Sequence, residues 1–228
     1  MKMPASVLLA LCVSASAFAK LPFANGDRIA FLGDSITQCG SDDPRGWVNI
    51  LESRVRKEVD EVAFIHAGIG GNTSADMLKR INADVIRRKP TWVFFSCGVN
   101  DSPNPVADNP GVPIDKYIKN VSTIFDKLDK TGAKIVVLSQ TPVMEDDPNY
   151  GANINLVSYN AELKRMALER KYIYLDPGAA IRKAIAEKKD PKKRTLTWDG
   201  THLNHRGNAI FANVVLKGLE KFASEDKK

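Results

Sequence analysis

Apolar positions along this chain follow two alternating rhythms. Short apolar runs read as five strands, Arg28 to Leu32, Val62 to Ile65, Trp92 to Phe95, Ile135 to Leu138 and Tyr172 to Leu175; Trp92 to Phe95 is continuous, as expected of a strand buried on both faces, and Ile135 to Leu138 reads as buried too. Between them the apolar residues recur at helical spacing. A helix-like segment follows Ser35. Trp47, Leu51, Val55 and Val59 then predict a helix with one buried stripe, and Met77, Ile81 and Val85 another that ends before Pro90. A further helix starts at about Ile114, with Ile118, Val121, Phe125 and Leu128 inward. Leu156, Leu163 and Met166 mark the next, Ala179 to Ala186 a short one, and Arg206 to Phe222 a closing one. Residues 102–113 and Thr141 to Asn155 are polar and read as loops, and Ser224 to Lys228 as a frayed tail. Strands alternating with helices in this way predict an α/β fold, a five-stranded parallel sheet with helices on both faces. Sites in such sheets form beyond the carboxyl ends of the strands.

The ends and the charge narrow the picture. Lys2, the apolar run Val7 to Val13 and the small residues of Ala17-Phe18-Ala19 form a secretory leader, with cleavage expected after Ala19. Residues 20–228 then form a single domain, long enough for a full core. The leader's apolar run is too short to span a bilayer, so export to periplasm or medium without stable membrane insertion is expected. Leu11 precedes Cys12 where a lipid anchor would need a small residue. The formal charge is +6, and loss of Lys2 with the leader leaves +5. That is no nucleic-acid signature, and the run Lys188, Lys189, Lys192, Lys193, Arg194 reads as a solvated loop. Cys39 and Cys97 are two thiols or one bridge. With three histidines, His66, His202 and His205, and no Cys-x-x-Cys, no metal site is expected.

The chemistry gathers where strands end. Ala30 to Leu32 runs into Gly33-Asp34-Ser35-Ile36-Thr37, and Gly33 permits a sharp turn. Ser35 thus falls at a helix start, where backbone amides favour developing negative charge. By itself this is also what a serine cap looks like. Asp199 and His202 lie three residues apart, so one loop or turn can present both. A serine hydroxyl needs a base to take its proton, and the base needs a carboxylate to orient it. Ser35 is therefore the candidate nucleophile, His202 the general base and acid, and Asp199 the orienter. The Ser35 and Gly71 amides and the Asn100 side chain are candidate oxyanion donors. Asp34 reads as a turn and helix-start ligand, Asp101 as a loop brace, and His66 as a satisfied polar group beside the cleft. His205 reads as a helix-start residue, with a role as the base its alternative. Asn72-Thr73-Ser74 and Asn120-Val121-Ser122 match glycosylation acceptors. A glycan on the first would obstruct the cleft, so that block reads as turn chemistry.

Four blocks in order, Gly-Asp-Ser-Ile-Thr at 33–37, the glycine block at 68–73, Gly-Val-Asn-Asp at 98–101 and Asp-Gly-Thr-His at 199–202, resemble the SGNH (GDSL-like) hydrolase family. The resemblance implies a three-layer flavodoxin-like fold. It also implies ester hydrolysis by a Ser–His–Asp triad without metal or cofactor, and carries over onto Ser35, Gly71, Asn100, Asp199 and His202. Two features depart from the family pattern. His66 stands where many members have asparagine, and three glycines in the second block leave Gly70 as the alternative to Gly71. The polar rim loops and the leader point to a secreted carbohydrate O-acetyl esterase acting on a small ester or acylated glycan. A lysophospholipase or thioesterase, with Met144, Tyr150 and Leu156 lining an acyl groove, is the alternative. A non-catalytic glycan-binding protein on a hydrolase scaffold is a third reading.

Overall fold

The five apolar runs pair side by side as parallel strands: β1 (Asp27–Gly33), β2 (Val62–Gly68), β3 (Trp92–Ser96), β4 (Lys134–Leu138) and β5 (Ile173–Leu175). Their order across the sheet is β2-β1-β3-β4-β5. The computed structural model describes residues 20–104, 108–147 and 149–226. Parallel neighbours need crossover connections, which place helices on the faces. The helices are α1 (Ser35–Asp42), α2 (Trp47–Val55), α3 (Ser74–Asp84), α4 (Ile114–Asp129), α5 (Gly151–Glu169), α6 (Pro177–Ala186) and α7 (His205–Glu225).

Alternate strand residues fill two separate cores. Phe31, Phe94 and Val136 face one way, onto Trp47 of α2 and Phe211 and Val215 of α7. Leu32, Phe95 and Val137 face the other, onto Met77 of α3, Val121 and Phe125 of α4 and Leu163 of α5. The result is the expected three-layer arrangement. Rings hold the first core together: Phe31 and Phe94 stack with centroids 5.2 Å apart, and Trp47 lies 4.8 Å from Phe211. Burial of each such side chain contributes about 1.5–3 kcal/mol. The strand order switches direction at β1 and β3, and the crevice beyond their carboxyl ends is where ligands bind in such sheets. Ser35 follows β1 and Asn100 follows β3, on the two sides of that crevice.

Several boundaries differ from the sequence pattern, each for a tertiary reason. β2 continues past Ile65 to Gly68, because it stays in register with β1 as far as the Gly33–Gly68 pair. α2 stops at Val55, and Val59 is buried beyond its end. In α4 the buried stripe includes Tyr117 and Ile124, while Ile118 is only partly buried. The Tyr117 hydroxyl donates to the Cys97 carbonyl, which draws that side chain inward. α5 begins at Gly151, inside the stretch expected to be loop as far as Asn155. Its Asn153 amide brackets Val143, accepting from the backbone N–H at 2.9 Å and donating to the carbonyl at 2.8 Å. α6 begins earlier than expected, at Pro177, with Asp176 as cap. α7 runs on through Ser224 to Glu225, where a frayed tail was expected, because buried Ala223 anchors its last turn. The leader-like residues 1–19 lie outside the described residues. Among the described residues no helix is long and apolar enough to cross a membrane.

One contact sets how closely α1 lies against the sheet. A Cβ added to Gly68 would stand 2.4 Å from the Gln38 nitrogen and 2.8 Å from the Thr37 carbonyl carbon, both backbone atoms that cannot swing aside. Gly68→Ala should therefore lower stability by about 1–3 kcal/mol, the usual cost of overpacking. Urea unfolding of the two proteins measures it, and an unchanged midpoint would show that α1 shifts freely.

Candidate active site

β1 ends at Gly33, and Asp34 caps α1 by accepting from the Ile36 amide at 3.0 Å. Asp34 is completely buried, and that burial pushes its pKa up to about 7 against the opposing pull of the Ile36 amide. Ser35 is the first residue of α1, so its amide is one of those a helix leaves without an internal partner. The Ser35 Oγ lies 2.9 Å from His202 Nε2, and His202 Nδ1 lies 2.6 Å from Asp199 Oδ2. A ring nitrogen facing a carboxylate carries the proton, which leaves Nε2 to accept from the serine hydroxyl. The other Asp199 oxygen accepts from the Thr201 and His202 amides at 2.9 and 2.8 Å. Burial acts to raise the Asp199 pKa, but the His202 ring and these amides outweigh it and hold the carboxyl at about 2.

The candidate oxyanion donors border the same crevice. Asn100 donates one amide hydrogen to the Asn72 carbonyl at 3.0 Å, and its amide nitrogen carries a second. The Gly70 amide is taken by Gln38 Oε1 at 2.7 Å. Gly71, with φ 75°, occupies the tight turn closed by Asn72 N–H on the Ile69 carbonyl. A cleft of about 280 Å³ opens here, bounded by Gly71, Thr73, Asn100, Asn104, Asn109 and Thr201 together with the apolar Val99 and Val143.

The remaining polar residues have structural partners. His66 Nε2 lies 2.5 Å from Glu52 Oε1 of α2, two residues short of the end of β2. His205 starts α7 and pairs with Asp43 at 3.1 Å, so His202 is the imidazole against Ser35. Buried Asp101 accepts from the Ser74 amide and hydroxyl and holds the start of α3; burial raises its pKa against those bonds. Asn120 donates to the Ser74 hydroxyl, and Asn72 Oδ1 accepts from Arg80, so both sequon asparagines are engaged within the protein. Cys39 and Cys97 are both free. Of the three residues expected along an acyl groove, Tyr150 and Leu156 are buried, whereas Met144 is half-buried and lines a pocket of about 250 Å³ with Pro142, Val143 and Ile185. Among the described residues, no group of three or more His, Cys, Asp or Glu side chains could hold a metal ion.

Two charged residues that the sequence pattern passes over are central here. The Arg80 guanidinium donates to the Gly33 carbonyl at 3.0 Å and to Asn72 Oδ1 at 2.6 Å, tying the serine turn to the glycine block. In sequence it is only a helix cation four residues before Asp84. Glu145, in the loop after β4, is fully buried. It accepts from the amides and hydroxyls of Thr195 and Thr197, the Leu196 amide and Lys188. Lys188 is thus a buried partner, whereas its neighbours Lys189, Lys192, Lys193 and Arg194 are exposed as a solvated run would be. Burial would raise the Glu145 pKa, but these bonds overcome it and hold the carboxyl at about 2.

A serine, an imidazole and a carboxylate in line at the carboxyl edge of an open parallel sheet are the layout of a serine esterase. The chain belongs to the GDSL-like lipase/acylhydrolase family, whose model matches residues 31–210. It is 26% identical over 212 residues to an acetylxylan esterase of Geobacillus stearothermophilus, covering 86% of this chain and 94% of that protein. It is 24% identical to an arylesterase of Vibrio mimicus, covering 95% and 96%. The crystal structure of the acetyl xylan esterase AlAXEase superposes with a TM-score of 0.74 at 25% identity, covering 84% of this chain and 99% of that one. The protein is a carboxylic ester hydrolase of SGNH type.

The Glu145 carboxyl titrates at about 2 in the folded protein against an ordinary 4.5. The unfolded chain therefore takes up the proton first as the pH falls. The stability Glu145 contributes is complete above pH 4.5 and is lost as the pH drops toward 2. Glu145→Gln should be less stable than wild type at neutral pH and should show a shallower loss on the acid side. Urea midpoints taken from about pH 6 to about pH 3 compare the slopes, and equal slopes would show that Glu145 is not depressed.

Proposed function

We propose that this protein is an exported carbohydrate esterase that removes acetyl groups from glycan hydroxyls. Ser35 is its nucleophile, His202 its base and acid, and Asp199 the group that orients His202. The observation that carries the reading is the line Ser35 Oγ–His202–Asp199, at 2.9 and 2.6 Å, beside a small cleft that Gly71, Asn100 and Thr201 line.

As Ser35 Oγ attacks the acetyl carbonyl carbon, His202 Nε2 takes the hydroxyl proton and Asp199 stabilises the resulting imidazolium. The carbonyl oxygen becomes an oxyanion, received by the Ser35 and Gly71 amides and the second Asn100 hydrogen. The tetrahedral centre collapses when His202 returns its proton to the departing sugar oxygen. The acetyl-serine that remains is hydrolysed by water, with His202 again as base, releasing acetate and restoring the serine. Because Asp199 titrates at about 2, it stays anionic throughout this cycle across the neutral range.

The substrate assignment rests on the cleft and on the relatives. Its walls combine the polar residues Thr73, Asn100, Asn104, Asn109 and Thr201 with the apolar Val99 and Val143, a mixed lining that suits a sugar hydroxyl beside a small acyl group. Tyr150 and Leu156, which an acyl groove would expose, are 8% and 3% exposed. Two of the relatives are acetylxylan esterases. Export rests on the leader-like sequence of residues 1–19.

Initial rates on p-nitrophenyl acetate, butyrate and octanoate test the reading. Acetate should be the fastest, and Ser35→Ala should abolish turnover on all three. Faster cleavage of octanoate would overturn the acetyl assignment, and turnover that survives in Ser35→Ala would overturn the triad. Asn100→Ala should lower kcat by about 10²–10³-fold, as loss of one oxyanion donor does, and a kcat within a few-fold of wild type would remove Asn100 from that role.

A further inference from the structure

We propose that Glu145 is a positioning residue that holds the Asp199–His202 pair at its working distance from Ser35. This inference rests on the triad reading above. The segment 195–204 is a closed loop with Asp199 and His202 at its tip. Its base is tied by Asn204 N–H on the Leu196 carbonyl at 2.8 Å and by Trp198 N–H on the His202 carbonyl at 2.9 Å. Glu145 grips that base from outside. One carboxylate oxygen accepts from the Thr195 amide at 2.7 Å and hydroxyl at 3.0 Å. The other accepts from the Thr197 amide at 2.8 Å and hydroxyl at 2.7 Å, and the Leu196 amide reaches the same oxygen at 3.0 Å. The Glu145 amide donates in turn to the Gly200 carbonyl at 2.9 Å, beside Asp199. The Thr197 hydroxyl accepts from the Gly200 amide at 3.2 Å, which closes the circuit between base and tip.

The chemistry of the acceptor matters here. Only an ionised carboxylate accepts on all its sites and donates on none. A glutamine at this position would turn an NH₂ group toward at least two donors, and the loop base would have to move. Lys188 Nζ, 3.3 Å from the carboxylate and 2.9 Å from the Glu145 carbonyl, supplies the counter-charge that burial requires. The loop that carries Glu145 is itself fixed to α5 through Asn153 on Val143. The position of His202 is thus set through Glu145 from the loop after β4, and not only by its own neighbours in sequence. A displacement of about 1 Å at such a base can cost about 10²-fold in rate.

The test compares wild type, Glu145→Gln and Thr197→Val on p-nitrophenyl acetate. Each rate is divided by the concentration of Ser35 sites titrated to the end point with a fluorophosphonate, so that misfolded protein drops out while a slow but folded site is still counted. Glu145→Gln should lower kcat per titrated site at least about tenfold with KM within about twofold, and should broaden or shift the downfield proton resonance of the His202 Nδ1–Asp199 bond. Thr197→Val, which removes the hydroxyl that donates to Glu145 and accepts from the Gly200 amide but leaves the carboxylate, should show a smaller drop in the same sense. It also serves where Glu145→Gln yields no folded protein. A kcat per site within twofold of wild type, with an unmoved resonance, in whichever variant folds would overturn the positioning role and leave the triad standing. Absence of Ser35-dependent turnover in wild type would sink the triad reading itself.

Discussion

The position of one hydroxyl depends on how closely a helix can approach the sheet. α1 lies with the backbone of Thr37 and Gln38 against Gly68, at a separation that any side chain there would occupy. Only because that gap is closed does the chain leave β1 at Gly33, turn through Asp34 and set Ser35 at the head of α1. The turn is fixed from beneath by the Asp34 carboxylate on the Ile36 amide and from the side by Arg80 on the Gly33 carbonyl. The same arginine reaches Asn72, whose carbonyl holds Asn100. The Ser35 turn and Asn100 are therefore parts of one hydrogen-bonded unit at the switch between β1 and β3.

The imidazole arrives by a different route. His202 and Asp199 come from a loop far downstream, and nothing near them in sequence obliges that loop to return to Ser35. Its place is fixed by long-range contacts: a buried carboxylate after β4, a buried lysine after α6 and an asparagine on α5. Each is hydrogen-bonded within the protein, Glu145 through both carboxylate oxygens, Lys188 to Glu145 and Asn153 through both ends of its amide, and satisfied polar networks of this kind specify one arrangement.

This division explains what the sequence reveals and what it hides. Continuous apolar runs such as Trp92–Phe95 leave strands little choice, so the sheet and its helices are legible from pattern alone. Ser35, Asn100, Asp199 and His202 are legible because strand ends and short spacings announce them. Glu145 is not, because a glutamate in a stretch rich in Asp, Asn and Pro looks the same whether it faces water or is completely enclosed. Lys188 is hidden for the same reason inside a run of lysines. Asn153 and Asn155 read as loop composition, yet one of them clamps a strand-end loop and both belong to a helix. Residues whose role is to join distant segments carry no local signature, since their partners are remote along the chain.

The loop of residues 140–145, which reaches the cleft through Val143, has an unusual mechanical status. Asn153 and Asn160 lie seven residues apart on one face of α5, and each holds a backbone unit of that loop by both its N–H and its carbonyl, Asn153 at Val143 and Asn160 at Gln140. The loop is in effect a side branch of the helix, with the stiffness of a secondary element rather than of a connection. Drift of the loop alone would break both brackets at once. The stretch from Gln140 to Asn160 therefore moves as a single mechanical unit, and a change of cleft shape at Val143 requires loop and helix to shift together.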